Sequence, residues 1–416
     1  MKYIVVLGDG MADLPLPEFQ NKTPLEYACT PTMDRLSRKA DMGMVRTIPV
    51  GMQPGSDTAN LAVMGYDPFK YYSGRSPLEA LSMGIAMEPG DVALRCNLVT
   101  LTEEDEDFEN LRILDHSSGE IDSRDSAILL EAVKQELETQ AYHFYPGISY
   151  RHCLIWKEGR VAELTPPHDI LGKRIGDYLP KEEVLRAMML RSYRILKDHP
   201  LNRERRAKGL APANCCWFWG AGTKPSLTSF EEKTGKKGMV ISAVDLLKGI
   251  AVGAGMGTVD VPGATGGLHT NYEGKAAAAI EGLFEKGYDF VYIHVEGPDE
   301  MGHQGDAAKK VQAIEYLDTR LIDPLLKELD GRGERYRLLI LPDHPTPISV
   351  RTHTGDKVPF LLYDSCNGYD DYDSNENLGP GAGERLPQTR GYSEKTAEAT
   401  GIVVEEGHLL IERLFA

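Results

Sequence analysis

Three short apolar runs in this chain each lead into an aspartate. Tyr3–Leu7 runs into Gly8-Asp9-Gly10, Asp289–Val295 into Glu296-Gly297-Pro298-Asp299, and Arg337–Leu341 into Pro342-Asp343-His344. Strands of one parallel sheet have their C-termini on a shared edge, which is where open α/β sheets bind ligands. Three carboxylates gathered there repel one another unless a cation lies among them. Histidines accompany them. Asp299 and His303 are spaced i, i+4, so a helix starting there carries both on one face. His344 adjoins Asp343, and His353 lies in Thr352-His353-Thr354-Gly355, just before a fourth apolar run, Val358–Tyr363. Singly, such an aspartate is a turn or N-cap residue, and an Asp-x-x-x-His pair is a surface contact. Together they read as a metal site. Carboxylate and imidazole without thiolate suit Mn²⁺, Zn²⁺, Mg²⁺ or Co²⁺, and the ligands suffice for two ions.

A two-metal centre can activate a nucleophile and stabilise phosphoryl oxygens. Pro54-Gly55-Ser56-Asp57-Thr58-Ala59-Asn60 offers one. Ser56 follows a glycine and opens a helix-like run, so its hydroxyl and the following N–H groups can face an anion. A serine that only caps a helix is the alternative. No G-x-x-x-x-G-K-[ST] occurs, nor a G-x-G-x-x-G after the first strand, so those nucleotide-binding modes lack their signals.

Composition narrows the partners. The 416 residues hold 46 Lys+Arg against 63 Asp+Glu, a net charge of −17. That field repels nucleic acid and anionic membranes, so neither is expected as a partner, and an anionic substrate needs a local cluster of cations. Six cysteines without C-x-x-C spacing make neither a disulfide scaffold nor a zinc finger. The first apolar run is too short for a signal segment, and no membrane-spanning stretch occurs. A soluble cytoplasmic protein is expected.

The four apolar runs are nearly continuous in character, as strands covered on both faces of a parallel sheet are. Helical patterns separate them: Glu273–Lys286 after a Thr270-Asn271 start signal, and Ala307–Leu329 with Val311, Ile314, Leu317, Leu321 and Leu325 near helical period. Alternating strands and helices predict an α/β doubly wound sheet. Residues 83–212 read as an inserted α+β domain, with a helix over Arg124–Thr139, short strands near Ser149–Trp156 and Arg160–Leu164, and a helix over Lys181–Lys197. The core is then 1–82 with 213–416. Asp364–Gly391 reads as an exposed loop before a last helix, Glu405–Phe415.

Longer motifs carry a resemblance over nearly the whole chain: GDGMAD, TPTMDRL, PGSDTANLAVMGYDP, GRSPLEA, LRCNLVT, LNRERRAKGLAPAN, GATGGLHTNYEGKA, HVEGPDEMGHQGD, LPDH and THTGDKVPF. With these the chain resembles the alkaline phosphatase superfamily and, within it, the archaeal-type branch of cofactor-independent phosphoglycerate mutases. The resemblance implies an alkaline-phosphatase-like core with an inserted cap domain. It implies two divalent ions, Mn²⁺ foremost, and no 2,3-bisphosphoglycerate. Asp9, Ser56, Asp343 and His344 resemble one metal site, and Asp299, His303 and His353 the other, with Ser56 transiently phosphorylated. For gripping a small phosphorylated hydroxy acid it implies Arg75, Arg95, Arg151, Arg205, Arg206 and Lys248, with His168 and Asp169 as acid/base groups. The implied reaction interconverts 3- and 2-phosphoglycerate in glycolysis and gluconeogenesis.

One departure stands out. Where archaeal relatives carry an Arg-Ala-Gly-Arg-like turn, this chain has Asp115-His116-Ser117-Ser118-Gly119-Glu120, and Trp219-Gly220 stands where Arg-Gly is expected. A bacterial subgroup with this pattern has been proposed to act as homoserine kinases in threonine biosynthesis. That transfer is the runner-up. A phosphatase of the same superfamily is third, and a non-enzymatic binding protein is the alternative of a different class.

Overall fold

The computed structural model describes residues 1–103, 107–367 and 391–416. Most of the expected loop Asp364–Gly391, and part of the acidic stretch Glu103–Glu109, lie outside the described residues. Among those described are thirteen strands: β1 (Lys2–Gly8), β2 (Asp41–Val45), β3 (Val92–Leu101), β4 (Ile113–Asp115), β5 (Tyr142–Tyr145), β6 (Arg151–Trp156), β7 (Cys215–Thr223), β8 (Gly238–Ile241), β9 (Gly257–Val259), β10 (Phe290–Val295), β11 (Tyr336–Leu341), β12 (Val358–Asp364) and β13 (Val403–Val404). The chain divides into two compact units, 1–72 with 227–416, and 73–226. No helix among the described residues is long and apolar enough to cross a membrane.

The first unit is built on an eight-stranded sheet in the order β13-β2-β12-β11-β1-β10-β8-β9. Its centre is the first apolar run: Ile4, Val5, Val6 and Leu7 are wholly buried, and β1 pairs in parallel with both β10 and β11. The fourth run departs from expectation. β12 runs antiparallel to β11 and to β2, so the sheet is mixed. β12 is apolar on both faces because it lies inside the sheet, not because it is parallel. The reversal matters for the site: a residue just before an antiparallel strand sits at the same edge as residues just after its parallel neighbours. Of this sheet, the strands absent from the sequence reading, β2, β8, β9 and β13, are five residues or shorter, below what periodicity resolves. In the second unit the reading also lacked β4 and β5 and the longer β3 and β7.

Helices cover both faces of this sheet, as in a doubly wound fold. The helix Tyr272–Phe284 starts where Asn271 accepts a hydrogen bond from the Gly274 N–H. The expected helix 307–329 is one helical run in three parts, Ala307–Tyr316, a π-helical segment Leu317–Ile322, and Asp323–Gly331. Its five apolar positions are all buried. The widened turn admits Asp318, whose carboxylate accepts the N–H groups of Thr32 and Met33 at the start of the helix Pro31–Ser37. The last helix is shorter than expected, a 3₁₀ turn Gly407–Leu409 and then Leu410–Phe415.

The second unit has a five-stranded antiparallel sheet, β4-β3-β6-β5 with β7 on β3. The helices Ser123–Leu137 and Glu183–Leu196 pack their apolar stripes into its own core, with Leu94, Phe144, Leu154, Trp217 and Phe218. Arg160–Leu164, expected as a strand, has no regular structure. The unit also extends past 83–212 at both ends. β7 pairs along the length of β3, and Ala80 of the helix Arg75–Ser82 is buried with Ala93 and Ile155.

Candidate metal centre

The C-terminal edge of the first unit's sheet collects the polar groups. Asp9 follows β1, Asp343 and His344 follow β11, and the loop after β2 leads to the helix Ser56–Val63. Asp299 and His303 lie on the helix Gly297–Gln304, which starts two residues past β10. His353 arrives from the loop before β12. Gly10 has φ of +60°, and a Cβ there would stand 2.6 Å from Asp299 Oδ1 and from Thr346 Oγ1, so only glycine lets these segments approach.

Around Asp343 the hydrogen bonds leave little freedom. Its Oδ1 accepts from the Gly10 and His344 N–H groups at 3.1 and 2.9 Å. Its Oδ2 accepts from Asn60 Nδ2 at 2.8 Å, and Asn60 Oδ1 in turn accepts from the Tyr292 hydroxyl at 2.6 Å. Asp9 Oδ2 lies 2.9 Å from His294 Nε2, whereas Asp9 Oδ1 is buried with no hydrogen-bond partner. Burial, followed by the charges of Asp343 and Asp299, pushes the Asp9 carboxyl well above its ordinary range.

His344 stands among all three carboxylates. Its Nε2 is 3.5 Å from Asp9 Oδ1, 3.4 Å from Asp343 Oδ2 and 3.1 Å from Ser56 Oγ. The single Thr346 hydroxyl hydrogen is donated to Asp299 Oδ1, so its oxygen accepts from His344 Nδ1 at 3.3 Å. That bond puts the ring proton on Nδ1 and turns the Nε2 lone pair towards the aspartates. Burial holds the imidazole below its usual range, in the neutral form. A lone pair facing two carboxylate oxygens, one of them an orphan, is an acceptor cluster that calls for protons or a metal cation.

The second half of the cluster follows the same logic. His303 donates Nδ1–H to the Arg351 carbonyl at 3.0 Å, leaving Nε2 to face His353 Nε2 at 2.9 Å and Asp299 Oδ2 at 3.3 Å. His353 Nε2 is 3.4 Å from Asp299 Oδ1. Burial acts to raise Asp299, but the hydrogen bonds from His303 and His353 outweigh it and hold the carboxyl well below its usual range. Asp299, His344 and His353 bring ligand atoms within 4.8 Å of one another, and so do Asp9, His294 and Asp343. The donor set fits divalent cations of the Mn²⁺, Zn²⁺ and Mg²⁺ type.

The six expected carboxylate and imidazole ligands thus converge, and Ser56 joins them at its helix N-terminus. Gly55 is the N-cap and Ser56 the first helical residue, so the serine does not cap its helix. Sequence reasoning missed His294, Asn60 and Thr346. A histidine inside the run Phe290–Val295 was the available signal for the first. Lys248, in the helix Asp245–Gly253, directs its ammonium to Asp260.

The cationic residues of the second unit separate into two groups. Arg205 is buried, and its guanidinium is spent on the Ala211 carbonyl, Asp125 and the Ser118 carbonyl at 3.0, 3.1 and 3.0 Å. It braces the Asp115–Glu120 turn, where Ser118, Gly119 and Glu120 all have positive φ. Arg206 pairs with Glu103 and the Lys197 carbonyl. The Arg205 guanidinium is thus engaged within its own unit, whereas Arg206, part-exposed, leaves its Nε without a partner. Arg75 and Arg95 share Glu79. Arg95 also lies over the Trp219 ring, and the exposed Arg151 over Tyr150. His168 is 3.7 Å from Asp169 and edge-on to Trp219 and His116, and burial lowers its imidazole.

The fold and this cluster define an α/β protein with a carboxylate–imidazole centre at the ligand-binding edge of its sheet and a second α/β unit inserted in the chain. The family model for 2,3-bisphosphoglycerate-independent phosphoglycerate mutase matches residues 37–202. The protein of that name from Methanosarcina acetivorans is 50% identical over 368 residues, covering 87% of this chain and 90% of the relative. The 2,3-bisphosphoglycerate-independent phosphoglycerate mutase 2 of Methanothermobacter thermautotrophicus is 44% identical, covering 99% and 96%. Among solved structures, the PH0037 protein from Pyrococcus horikoshii aligns over 99% of this chain and 96% of its own, with a TM-score of 0.79 at 29% identity. The cofactor-independent phosphoglycerate mutase from Thermoplasma acidophilum aligns over 100% and 99%, with a TM-score of 0.65 at 26% identity. This chain belongs to the 2,3-bisphosphoglycerate-independent phosphoglycerate mutase family.

Proposed function

We propose that this chain interconverts 3- and 2-phosphoglycerate through a phosphoserine at Ser56, without 2,3-bisphosphoglycerate. The observation that carries the reading is the position of Ser56 Oγ, at a helix N-terminus and 3.1 Å from His344 Nε2 within the acceptor cluster. Asp9, Asp343 and His344 with Ser56 would hold one divalent ion, and Asp299, His303 and His353 the other. Such ions, Mn²⁺ foremost, make a serine hydroxyl more acidic and offset charge on phosphoryl oxygens when bound.

In the first half-reaction Ser56 Oγ forms a bond to phosphorus as the bond to the substrate's oxygen breaks, and the serine proton ends on that oxygen. The second half-reaction is the same exchange with the neighbouring hydroxyl: it bonds to phosphorus, the P–Oγ bond breaks, and Ser56 recovers a proton. The free glycerate must stay bound between the two. We assign that grip to Arg75, Arg95, Arg151 and Lys248, with His168 and Asp169 as proton carriers. All six cysteines are unpaired, which suits a reducing compartment, and we place the reaction in the cytoplasm.

The Asp115–Glu120 turn and Trp219, less cationic than the arginines they replace, favour a less anionic acceptor as the second reading. Phosphorus NMR of one Mn²⁺-loaded preparation decides. With 3-phosphoglycerate alone, a 2-phosphoglycerate signal is expected. Homoserine phosphate formed from homoserine and ATP with no mutase signal would favour the kinase, and inorganic phosphate alone a phosphatase.

A further inference from the structure

Strand β10 alternates between the two faces of its sheet. Val291, Ile293 and Val295 enter the apolar core with the helix Tyr272–Phe284. Tyr292 and His294, on the other face, carry polar atoms into a layer directly beneath the carboxylates. Tyr292 reaches Asp343 through Asn60, as described above. His294 is wholly buried, beside Leu7 of β1 in the sheet register. A polar ring at such a position is costly unless both nitrogens are bonded, and both are. Nε2 is 2.9 Å from Asp9 Oδ2, and Nδ1 is 3.2 Å from Ser242 Oγ. The Lys275 ammonium donates to the His294 carbonyl at 2.6 Å, fixing the backbone as well.

The direction of these bonds follows from Asp9, whose carboxylate can only accept, so Nε2 must donate. The bare Nδ1 then accepts the hydroxyl hydrogen of Ser242, whose oxygen in turn accepts the Val244 N–H at 3.0 Å. The ring proton thus sits on Nε2 and is donated to Asp9 Oδ2. This leaves Asp9 Oδ1, the buried oxygen without a partner, as the one turned towards His344 and Asp343.

We infer that His294, its Nε2–H tautomer supported by Ser242, is a positioning residue that holds the Asp9 carboxylate in the rotamer presenting Oδ1 to a divalent cation. The inference rests on the proposed metal centre, and concerns the layer behind its ligands. Such outer partners typically contribute 10- to 100-fold in metal affinity.

The test reads Mn²⁺ binding to metal-stripped protein by calorimetry, with no substrate present. His294→Leu keeps bulk and removes the donor; His294→Gln can place an amide N–H where Nε2 lies. The Leu variant should bind Mn²⁺ roughly 10- to 100-fold more weakly, and the Gln variant close to wild type. Ser242→Ala, which removes the support for that tautomer, should weaken binding by a smaller factor, and it carries the test if His294→Leu does not fold. A role in packing alone would not separate Gln from Leu. Wild-type affinity in both His294→Leu and Ser242→Ala, or equal loss in Leu and Gln, overturns the inference. Wild-type protein that takes up no Mn²⁺ overturns the metal centre itself, and this inference with it.

Discussion

His303 and His353 point their Nε2 atoms at each other across 2.9 Å, with both rings also reaching the Asp299 carboxylate. Two imidazole lone pairs cannot share that space, so either a proton or a metal ion lies between them. Without metal it is a proton. The hydrogen bond to Asp299 holds the His303 imidazole up to about 9.

A metal ion taking His303 Nε2 must therefore displace that proton. Below about pH 9, binding should release at least one proton per protein, and apparent affinity should rise with pH until His303 is neutral without help. Calorimetry at pH 7.5 in two buffers of different ionisation enthalpy gives the proton count. A count of zero would remove His303 from the ligand set.

Ser56→Ala should lower turnover by at least ~10³-fold, because no other oxygen can carry the phosphoryl group. The helix Ser56–Val63 is capped by backbone at Gly55 and loses nothing by the change, so the fold and binding of at least one Mn²⁺ should persist. Rates near wild type would require direct attack by water or by the second hydroxyl.

Behind the site, Lys310 and Asp13 form an ion pair at 2.7 Å with both side chains fully buried. The ammonium also donates to the carbonyls of Ala12 and Thr346, joining the loop after β1 to the loop after β11. Lys310→Met strands the Asp13 carboxylate and should destabilise the first unit by about 3–5 kcal/mol. Adding Asp13→Leu should recover part of that, because an apolar pair replaces an unpaired charge. Urea unfolding of both variants measures it, and an unchanged midpoint in the single variant would show the pair to be unimportant.

Arg205→Ala removes three hydrogen bonds of the second unit, one buried and two part-buried, and should cost about 2–3 kcal/mol in thermal unfolding. Arg205→Lys should not restore it, since one ammonium cannot reach the fork of Ala211, Asp125 and Ser118. Unchanged stability together with a raised KM for phosphoglycerate would return Arg205 to the substrate.

Residues adjacent in sequence to a strong pattern were legible without coordinates. The aspartates at the ends of β1 and β11 follow runs too apolar to be anything but buried strands, and Asp299 with His303 needed only one helical turn to share a face. Asn271 announced its helix through its cap. Residues whose partners lie far along the chain were not legible. Ser242, His294 and Asp9 meet across three parallel strands, a register no local period encodes. The same holds for Arg205, whose cationic exposed-looking segment Pro200–Ala207 conceals a buried guanidinium.

By itself the sequence determined the strands of the sheet centre, the helices that separate them, and the residue types fit for a cation, because these depend on period and on side-chain chemistry within a few residues. The tertiary structure alone decided strand direction and pairing. His353 joins Asp299 because β12 runs antiparallel to both β11 and β2, a direction that the continuous apolar run Val358–Tyr363 does not encode. The proton on His344 was likewise decided there, since it follows from a threonine hydroxyl that donates to Asp299 and so must accept from the ring.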